Sequence, residues 1–285
     1  LQRGAPTYRG DVTTRFTLSG RDDTFLDFRG KTIEELRLND RALQPTWSGF
    51  RLLLPAEALK DGENIVVVRY ENEYDHTGDG FHQFTDPEDG EEYLYTNFEP
   101  YESHRLFPNF DQPDIKAEYT LTVTAPSEWE LVSNSREIAT EQTGDGRVRH
   151  GFERTRPFST YLFAIIAGPY HVFRDTHGDV PLGLYCRKSL VKHMDTDELF
   201  AVTSQGLDFY SSFFDYPYPF TKYDQIFVPE FNAGAMENKG LNVFNTAYVL
   251  ADPDTATDDD YERIDGVIAH EYFHNWTGNR VTCQD

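Results

Sequence analysis

The chain has 285 residues, with 26 basic and 49 acidic side chains and a formal net charge of −23. That acidity, with a pI near 4.6, argues against nucleic acid and anionic membrane surfaces as partners, because both repel a net anion. An apolar share of 38% and an aromatic share of 15% suffice for packed cores and exclude a disordered chain, and no run approaches the ~18 apolar residues of a membrane-spanning helix.

The first ~170 residues read as β structure. Glu118 to Thr124 alternates, with Tyr119, Leu121 and Val123 on one face and Glu118, Thr120, Thr122 and Thr124 on the other; a period of two means a strand with one buried side. Val12–Leu18, Phe50–Leu54, Ile65–Tyr70, Val148–Phe152 and Tyr161–Ala167 are further strands, separated by turn signals such as Asp61-Gly62, Asp145-Gly146 and Ala125-Pro126. Many short strands with polar turns predict a sandwich or a set of open sheets. Between them, the Gly-, Asp- and Glu-rich stretch 75–92 reads as a solvated acidic loop. A calcium loop is the rival reading, but the spacing fits no EF-hand.

The pattern changes after about Tyr170, which predicts a division into an N-terminal β domain over 1–172 and a second, α+β domain over 173–285. A strand at Leu182–Cys186 precedes a helix from about Asp195 to Phe214, with Leu199, Val202, Phe209 and Phe213 on its apolar stripe. Asp197 and Glu198 suit the first turn, and Pro217 and Pro219 stop the helix. The aromatics Phe209, Tyr210, Phe213 and Phe214 are expected in the core. Gln225–Val228 and Leu241–Phe244 read as strands, with a Gly-containing loop at 234–240 between them. A last helix runs from about Asp258 to Trp276, capped by Thr257 with Asp260 three residues on.

That last helix carries His270-Glu271-Tyr272-Phe273-His274, an H-E-x-x-H. Positions i and i+4 lie one above the other, so both imidazoles can reach one ion at about 2.0–2.1 Å, which suits zinc. Glu271, beside the first histidine, is placed to take a proton from a metal-bound water. Val267 and Ile268 anchor the helix in the core. Two surface histidines on an amphipathic helix are the rival reading, since chance alone places this motif in a few of every ~100 such chains. The second constellation, Gly234-Ala235-Met236-Glu237-Asn238, ends 33 positions before His270 when counted from Glu237. A carboxylate there could bind a substrate's ammonium group, although a lone glutamate in a glycine loop is ordinarily a solvated turn.

The two motifs together resemble the double signature of the aminopeptidase N family, zinc exopeptidases among the gluzincins. The resemblance is close from Asn232 onward and looser upstream. There, Thr96-Asn97-Phe98-Glu99-Pro100 and Arg105-Leu106-Phe107-Pro108 are similar to the segment that places a second glutamate at the substrate's amino terminus. The resemblance implies a β-rich N-terminal domain followed by the start of an α+β, thermolysin-like catalytic domain. It implies one zinc ion with His270 and His274 as ligands and Glu271 as general base. Glu237 and Glu99 would hold the free α-ammonium of a peptide. Gly234 and Ala235 would bond the substrate backbone, with Met236 and Asn238 completing the substrate-binding loop.

Two departures stand out. Asn97 replaces the family's glutamine, a shorter amide. The family's third zinc ligand, a glutamate one helix further on, would fall about eight residues past Asp285, so two histidines stand where catalytic zinc has three protein ligands. The chain is therefore expected to be a fragment of a metalloprotease that, alone, binds zinc weakly and hydrolyses little.

Three other functions stand beside this one. An epoxide hydrolase of the same superfamily would carry a glycine where Ala235 stands. An endopeptidase would leave Glu237 and Glu99 without a cation to meet. A β-rich interaction module with a vestigial metal site remains the non-enzyme alternative. The expected setting is cytoplasmic and monomeric, with peptides bearing a free N-terminus as partners. No signal peptide opens the chain, and the two cysteines, Cys186 and Cys283, make no disulfide framework and fit a reducing compartment; Cys186 is expected to be a buried thiol. The sequon Asn275-Trp276-Thr277 and the tripeptide Arg9-Gly10-Asp11, the latter expected in a flexible end, read as chance matches. Asp258-Asp259-Asp260 reads as helix capping rather than as a metal cluster.

Overall fold

The computed structural model describes residues 1–249, 252 and 254–279. The first strands are β1 (Thr7–Leu18), β2 (Thr24–Asp27), β3 (Thr32–Leu38), β4 (Arg41–Leu43), β5 (Arg51–Leu54) and β6 (Gly62–Glu73). They form an open antiparallel sheet in the order β1-β6-β3-β4 and a separate β2-β5 pair. Strand β6 shows why: Asn64, Val66, Val68, Tyr70 and Asn72 are buried while Glu63, Arg69 and Glu73 are exposed, the period of two that a one-sided sheet imposes. Val66 and Val68 pack with Leu26, Leu36, Leu38, Leu52 and Leu54 into one core. Arg9-Gly10-Asp11 is not in a flexible end. It lies inside β1, with Arg9 paired to Glu34 and Glu71 and Asp11 paired to Arg69 across the ladder.

Next come β7 (Gly80–Thr85), β8 (Glu92–Asn97), β9 (Thr122–Pro126), β10 (Glu130–Ser133), β11 (Glu137–Gln142), β12 (Arg147–Phe152) and β13 (Ile165–Gly168). They make two more antiparallel sheets, β10-β13-β8-β7 and β11-β12-β9. The stretch expected as a solvated acidic loop is instead half hairpin, with β7 paired to β8 from Gly80↔Asn97 to Thr85↔Glu92. Phe81 and His82 are buried there, and Asp86 lies buried against Arg187 at 2.8 Å; these partners outweigh the acidic composition. The alternation at 118–124 gives the faces correctly, but the ladder begins only at Thr122. The strand expected at Tyr161–Ala167 opens with a 3₁₀ turn over Thr160–Leu162 and pairs from Ile165.

The remaining elements are β14 (His171–His177), β15 (Val180–Cys186), α1 (Thr196–Phe213), β16 (Tyr223–Val228), β17 (Ala235–Met236), β18 (Leu241–Asn245), α2 (Thr246–Val249) and α3 (Asp258–His274). One five-stranded sheet runs β14-β15-β16-β18-β17, parallel at its centre and antiparallel at both edges. Every residue of β16 is buried, as befits a parallel strand covered on both faces. The loop expected at 234–240 thus contains a two-residue edge strand. Ile226, Val228, Met236, Leu241 and Val243 of this sheet share a hydrophobic cluster with Tyr93, Tyr95, Leu94 and Ile166 of the preceding one.

Helix α1 starts where Asp195 accepts the Glu198 N–H at 3.3 Å. Its buried face is Leu199, Thr203 and Leu207. Phe209 and Phe213, expected on that face, are 59% and 68% exposed and stack on each other at 5.8 Å. At 100° per residue, Phe209 lies about 80° round the helix from Leu199, on the side away from Leu207. Helix α3 carries the expected capping box, with Thr257 and Asp260 each accepting the other's backbone N–H. Cys186 is buried, and burial pushes its thiol up to about 12; Cys283 lies outside the described residues. Among the described residues no helix is long and apolar enough to cross a membrane.

Ile268 is wholly buried on the core face of α3. Its truncation to alanine should cost about 2–5 kcal/mol, read as a lowered urea midpoint with an unchanged slope.

Candidate functional site

Helix α3 divides its faces by period. Ile264, Ile268 and Tyr272 recur every four residues and are buried among Leu199, Leu207, Tyr223 and Phe244. His270 and His274, on the neighbouring face, stay exposed and half-buried respectively. Their Nε2 atoms face each other at 3.1 Å. The Nδ1 of His274 lies 3.2 Å from the Thr277 carbonyl; that acceptor fixes the proton on Nδ1 and leaves Nε2 as a lone-pair donor.

Glu271 follows His270 on α3. It is buried, and its Oε2 has no hydrogen-bond partner. Burial, then the charges of Glu237 and Glu99, push its carboxyl up to about 8. Glu99 follows the end of β8, held by the wholly buried Phe98, and sits at the exposed side of the site. Its carboxyl is also raised, by desolvation first and by Glu237 second, with His274 opposing. Glu237 is buried just past β17, with Oε1 3.8 Å from His274 Nδ1. Glu237 and Glu99 thus lie near His274, and Glu271 lies near both of them; among the described residues no lysine or arginine pairs with any of the three.

The loop that carries Glu237 is held at several points. Strand β17 pairs with β18 through Ala235↔Phe244 and Met236↔Val243, and the Gly234 carbonyl accepts the Asn245 N–H at 2.8 Å. Gly234 is exposed and Ala235 half-buried, at an edge whose far side has no pairing among the described residues. Met236 and Asn238 do not turn their side chains outward. Met236 is in the core, and Asn238 is wholly buried with both amide atoms unpartnered. Asn97 spends its amide N–H groups on the Gly78 carbonyl at 3.2 Å and on Asp79 at 3.1 Å, which ties it to the β7 hairpin.

Several contributors escaped the sequence reading. Asn134 donates to the Lys239 carbonyl at 3.0 Å. The Lys239 ammonium sits over the rings of Phe158 and Phe220, 4.9 Å from each, with no carboxylate partner described. Upstream, Tyr95 donates to the Pro229 carbonyl at 2.5 Å, and the Asn232 amide donates to the Thr77 carbonyl at 2.8 Å. Asn279, five residues past the end of α3, donates to the Glu237 carbonyl at 2.9 Å. The signal available for that last contact was Gly278-Asn279, a left-handed turn ending the helix, with Gly278 at φ +102. Asn275 of the sequon is wholly buried and donates to the carbonyls of Glu271 and Tyr272, so it closes the helix and offers no surface amide.

Two donors about 2.0–2.1 Å from one ion and 3.1 Å from each other subtend roughly 100° at it, close to tetrahedral. His270 and His274 thus fit two positions of a zinc ion. Among the described residues no group of three or more histidines, cysteines and carboxylates converges to complete the set.

The chain matches two family descriptions: the peptidase M1 N-terminal domain over residues 8–162 and the peptidase family M1 domain over 199–285. It is 43% identical over 285 residues to an aminopeptidase N of Streptomyces lividans, covering 98% of this chain and 32% of that protein. It is 41% identical over 184 residues to an aminopeptidase N of Escherichia coli K12, covering 61% of this chain and 21% of that protein. To the human endoplasmic reticulum aminopeptidase 2 it is 30% identical over 275 residues, covering 95% of this chain and 28% of that protein. The chain therefore spans about a third or less of the length of the relatives it matches.

Burial, with Arg156 and Lys116 nearby, lowers the Lys239 ammonium to about 8. The unfolded chain then binds more protons than the folded one between about pH 8 and the ordinary lysine value, so this group's contribution to stability rises with pH across that window. Thermal midpoints of the wild type and Lys239→Met, measured from pH 7 to 10.5, should shift in the wild type's favour as pH rises.

Proposed function

Because the chain belongs to the peptidase M1 family, we propose that it forms the amine-recognising and histidine-bearing part of a zinc aminopeptidase that removes residues from the N-termini of peptides. The observation that carries this reading is the grouping of Glu99, Glu237 and Glu271 beside His274, with no lysine or arginine paired to any of the three among the described residues. Glu237 raises the cost of ionising both Glu99 and Glu271. A substrate ammonium between Glu99 and Glu237 would relieve that cost through charge-assisted hydrogen bonds. Only a peptide's first residue brings an α-ammonium next to its own peptide bond, which confines cleavage to the first bond. The unpaired edge of β17, at Gly234 and Ala235, is suited to hold the substrate backbone extended beside it.

In this reading His270 and His274 hold the ion, and the Thr277 carbonyl keeps His274 in the ligating tautomer. Zinc, when bound, supplies a lowered pKa for water and polarisation of the scissile carbonyl. Glu271 Oε2, buried and free of protein partners, accepts the proton of the attacking water and returns it to the departing amine. Its raised carboxyl suits a group that must both take and give a proton near neutral pH.

Two protein ligands are fewer than the three of a catalytic zinc site. The resemblance puts the third about eight residues past Asp285, and the 285-residue chain by itself then binds zinc weakly and turns over little. The division into domains near residue 172 is supported by the five-stranded sheet, whose first strand opens at His171. A monomeric state and a cytoplasmic setting are part of the same proposal, the setting supported by the low cysteine count.

Dialysed against micromolar zinc, the 285-residue chain should retain well under one equivalent; a full equivalent with peptidase turnover would sink the two-ligand reading. A chain extended to the full length of its relatives should hydrolyse leucine anilide and leave its N-acetyl derivative intact. In that extended chain Glu271→Gln should lower the rate by about 10²–10⁴ with zinc content unchanged.

A further inference from the structure

Asn279 is the point at which the two halves of the site are joined. Its backbone N–H donates to the His274 carbonyl at 3.0 Å. Its side-chain Nδ2 donates to the Glu237 carbonyl at 2.9 Å. The residue is 3% exposed, so neither bond is open to competition from bulk water. One residue thus grips the main chain of the second histidine and the main chain of a glutamate 42 positions earlier. The preceding turn is built for this: Gly278 adopts φ +102, and a Cβ on it would come within 3.0 Å of His274 Nδ1. No other residue type fits there without displacing the ring.

The join matters because of the charges it restrains. The ladder of β17 stops at Met236, so Glu237 stands one residue beyond regular pairing. Its carboxylate repels those of Glu99 and Glu271. A main chain left free at that point would relax outward and separate the like charges. Behind it Asn134 holds the Lys239 carbonyl, but two residues further along. Asn279 alone, among the described residues, donates a side-chain hydrogen bond to the Glu237 main chain.

We infer that Asn279 is a positioning residue: by fixing the Glu237 main chain against the end of the histidine helix, it sets the selectivity of the site for a free α-ammonium over an acylated amine. The inference rests on the reading of Glu99 and Glu237 as the amine-binding pair. It needs no metal and no turnover to be tested.

The test is a nuclear magnetic resonance titration of the metal-free 285-residue chain with L-leucine amide and, separately, N-acetyl-L-leucine amide. The readout is the ratio of the two dissociation constants, with the thermal midpoint followed alongside. The wild type should favour the free amine, and Asn279→Ala should lose about tenfold of that preference, the order expected for one oriented hydrogen bond. Asn279→Ser, which keeps a short donor, should fall between. A merely structural role would weaken both ligands alike and leave the ratio unmoved. That result, or failure of both variants to fold, overturns the inference while the amine-binding reading stands. A wild-type chain without preference for the free amine overturns the reading and the inference together.

Discussion

Three carboxylates lie close together, and among the described residues no lysine or arginine pairs with any of them. Left to themselves such groups separate or take up protons; here they are prevented from separating. Glu271 is carried on the inner side of a helix whose other inner residues are Ile264, Ile268 and Tyr272, so it cannot swing away. Glu99 follows a strand whose six residues are all buried. Glu237 stands one residue beyond the end of β17, and its carbonyl is held by the Asn279 side chain. The rise of the Glu271 carboxyl to about 8 is the visible cost of this arrangement. A site that keeps its negative charges together in the resting state is already shaped for a positive guest, since little of the binding energy then goes into gathering the receiving groups.

The fold delivers this through division of labour. The antiparallel sheets of the first part do not contribute a histidine to the pair, yet they hold the loop that faces it. Tyr95 and Thr77 take hold before the glycine of the loop, and Asn134 and Phe158 take hold after its asparagine. The five-stranded sheet then supplies the loop with an edge, and α3 closes over it with the two rings. The turn that leads into β7 is part of this support, since Asn97 bonds to its Gly78 carbonyl and Asn232 to its Thr77 carbonyl.

Local pattern was readable where one residue's fate depends on near neighbours. The Thr257–Asp260 cap, the helix that carries H-E-x-x-H and the strand at Ile65–Tyr70 are all set by near neighbours, and each is found where the residues place it. The errors arose where distant partners decide. Acidic composition at 75–92 argued for a loop, but Arg187 and β8 make it a hairpin. The α1 stripe was drawn through phenylalanines, whereas the sheet beneath selects Leu199, Thr203 and Leu207 and leaves Phe209 outside. Arg9-Gly10-Asp11 looked like a terminal tripeptide because its strand partner lies some sixty residues away, at Arg69. The grouping of Glu99 with Glu237 was legible only through resemblance; spacing alone says nothing about two carboxylates so far apart in sequence. Asn279 illustrates the same limit, because its importance lies in an acceptor that no local pattern could name.

The hydrophobic cluster that joins Tyr93, Tyr95 and Ile166 to Ile226, Val228 and Val243 makes the boundary between the two sequence regions a seam of shared packing. A hinge needs a thin, wettable waist, and none exists where aliphatic and aromatic groups from both sides interlock. The two parts accordingly belong to one cooperative body. An evolutionary graft that swapped either part for a homologue's would have to carry the matching half of that seam with it.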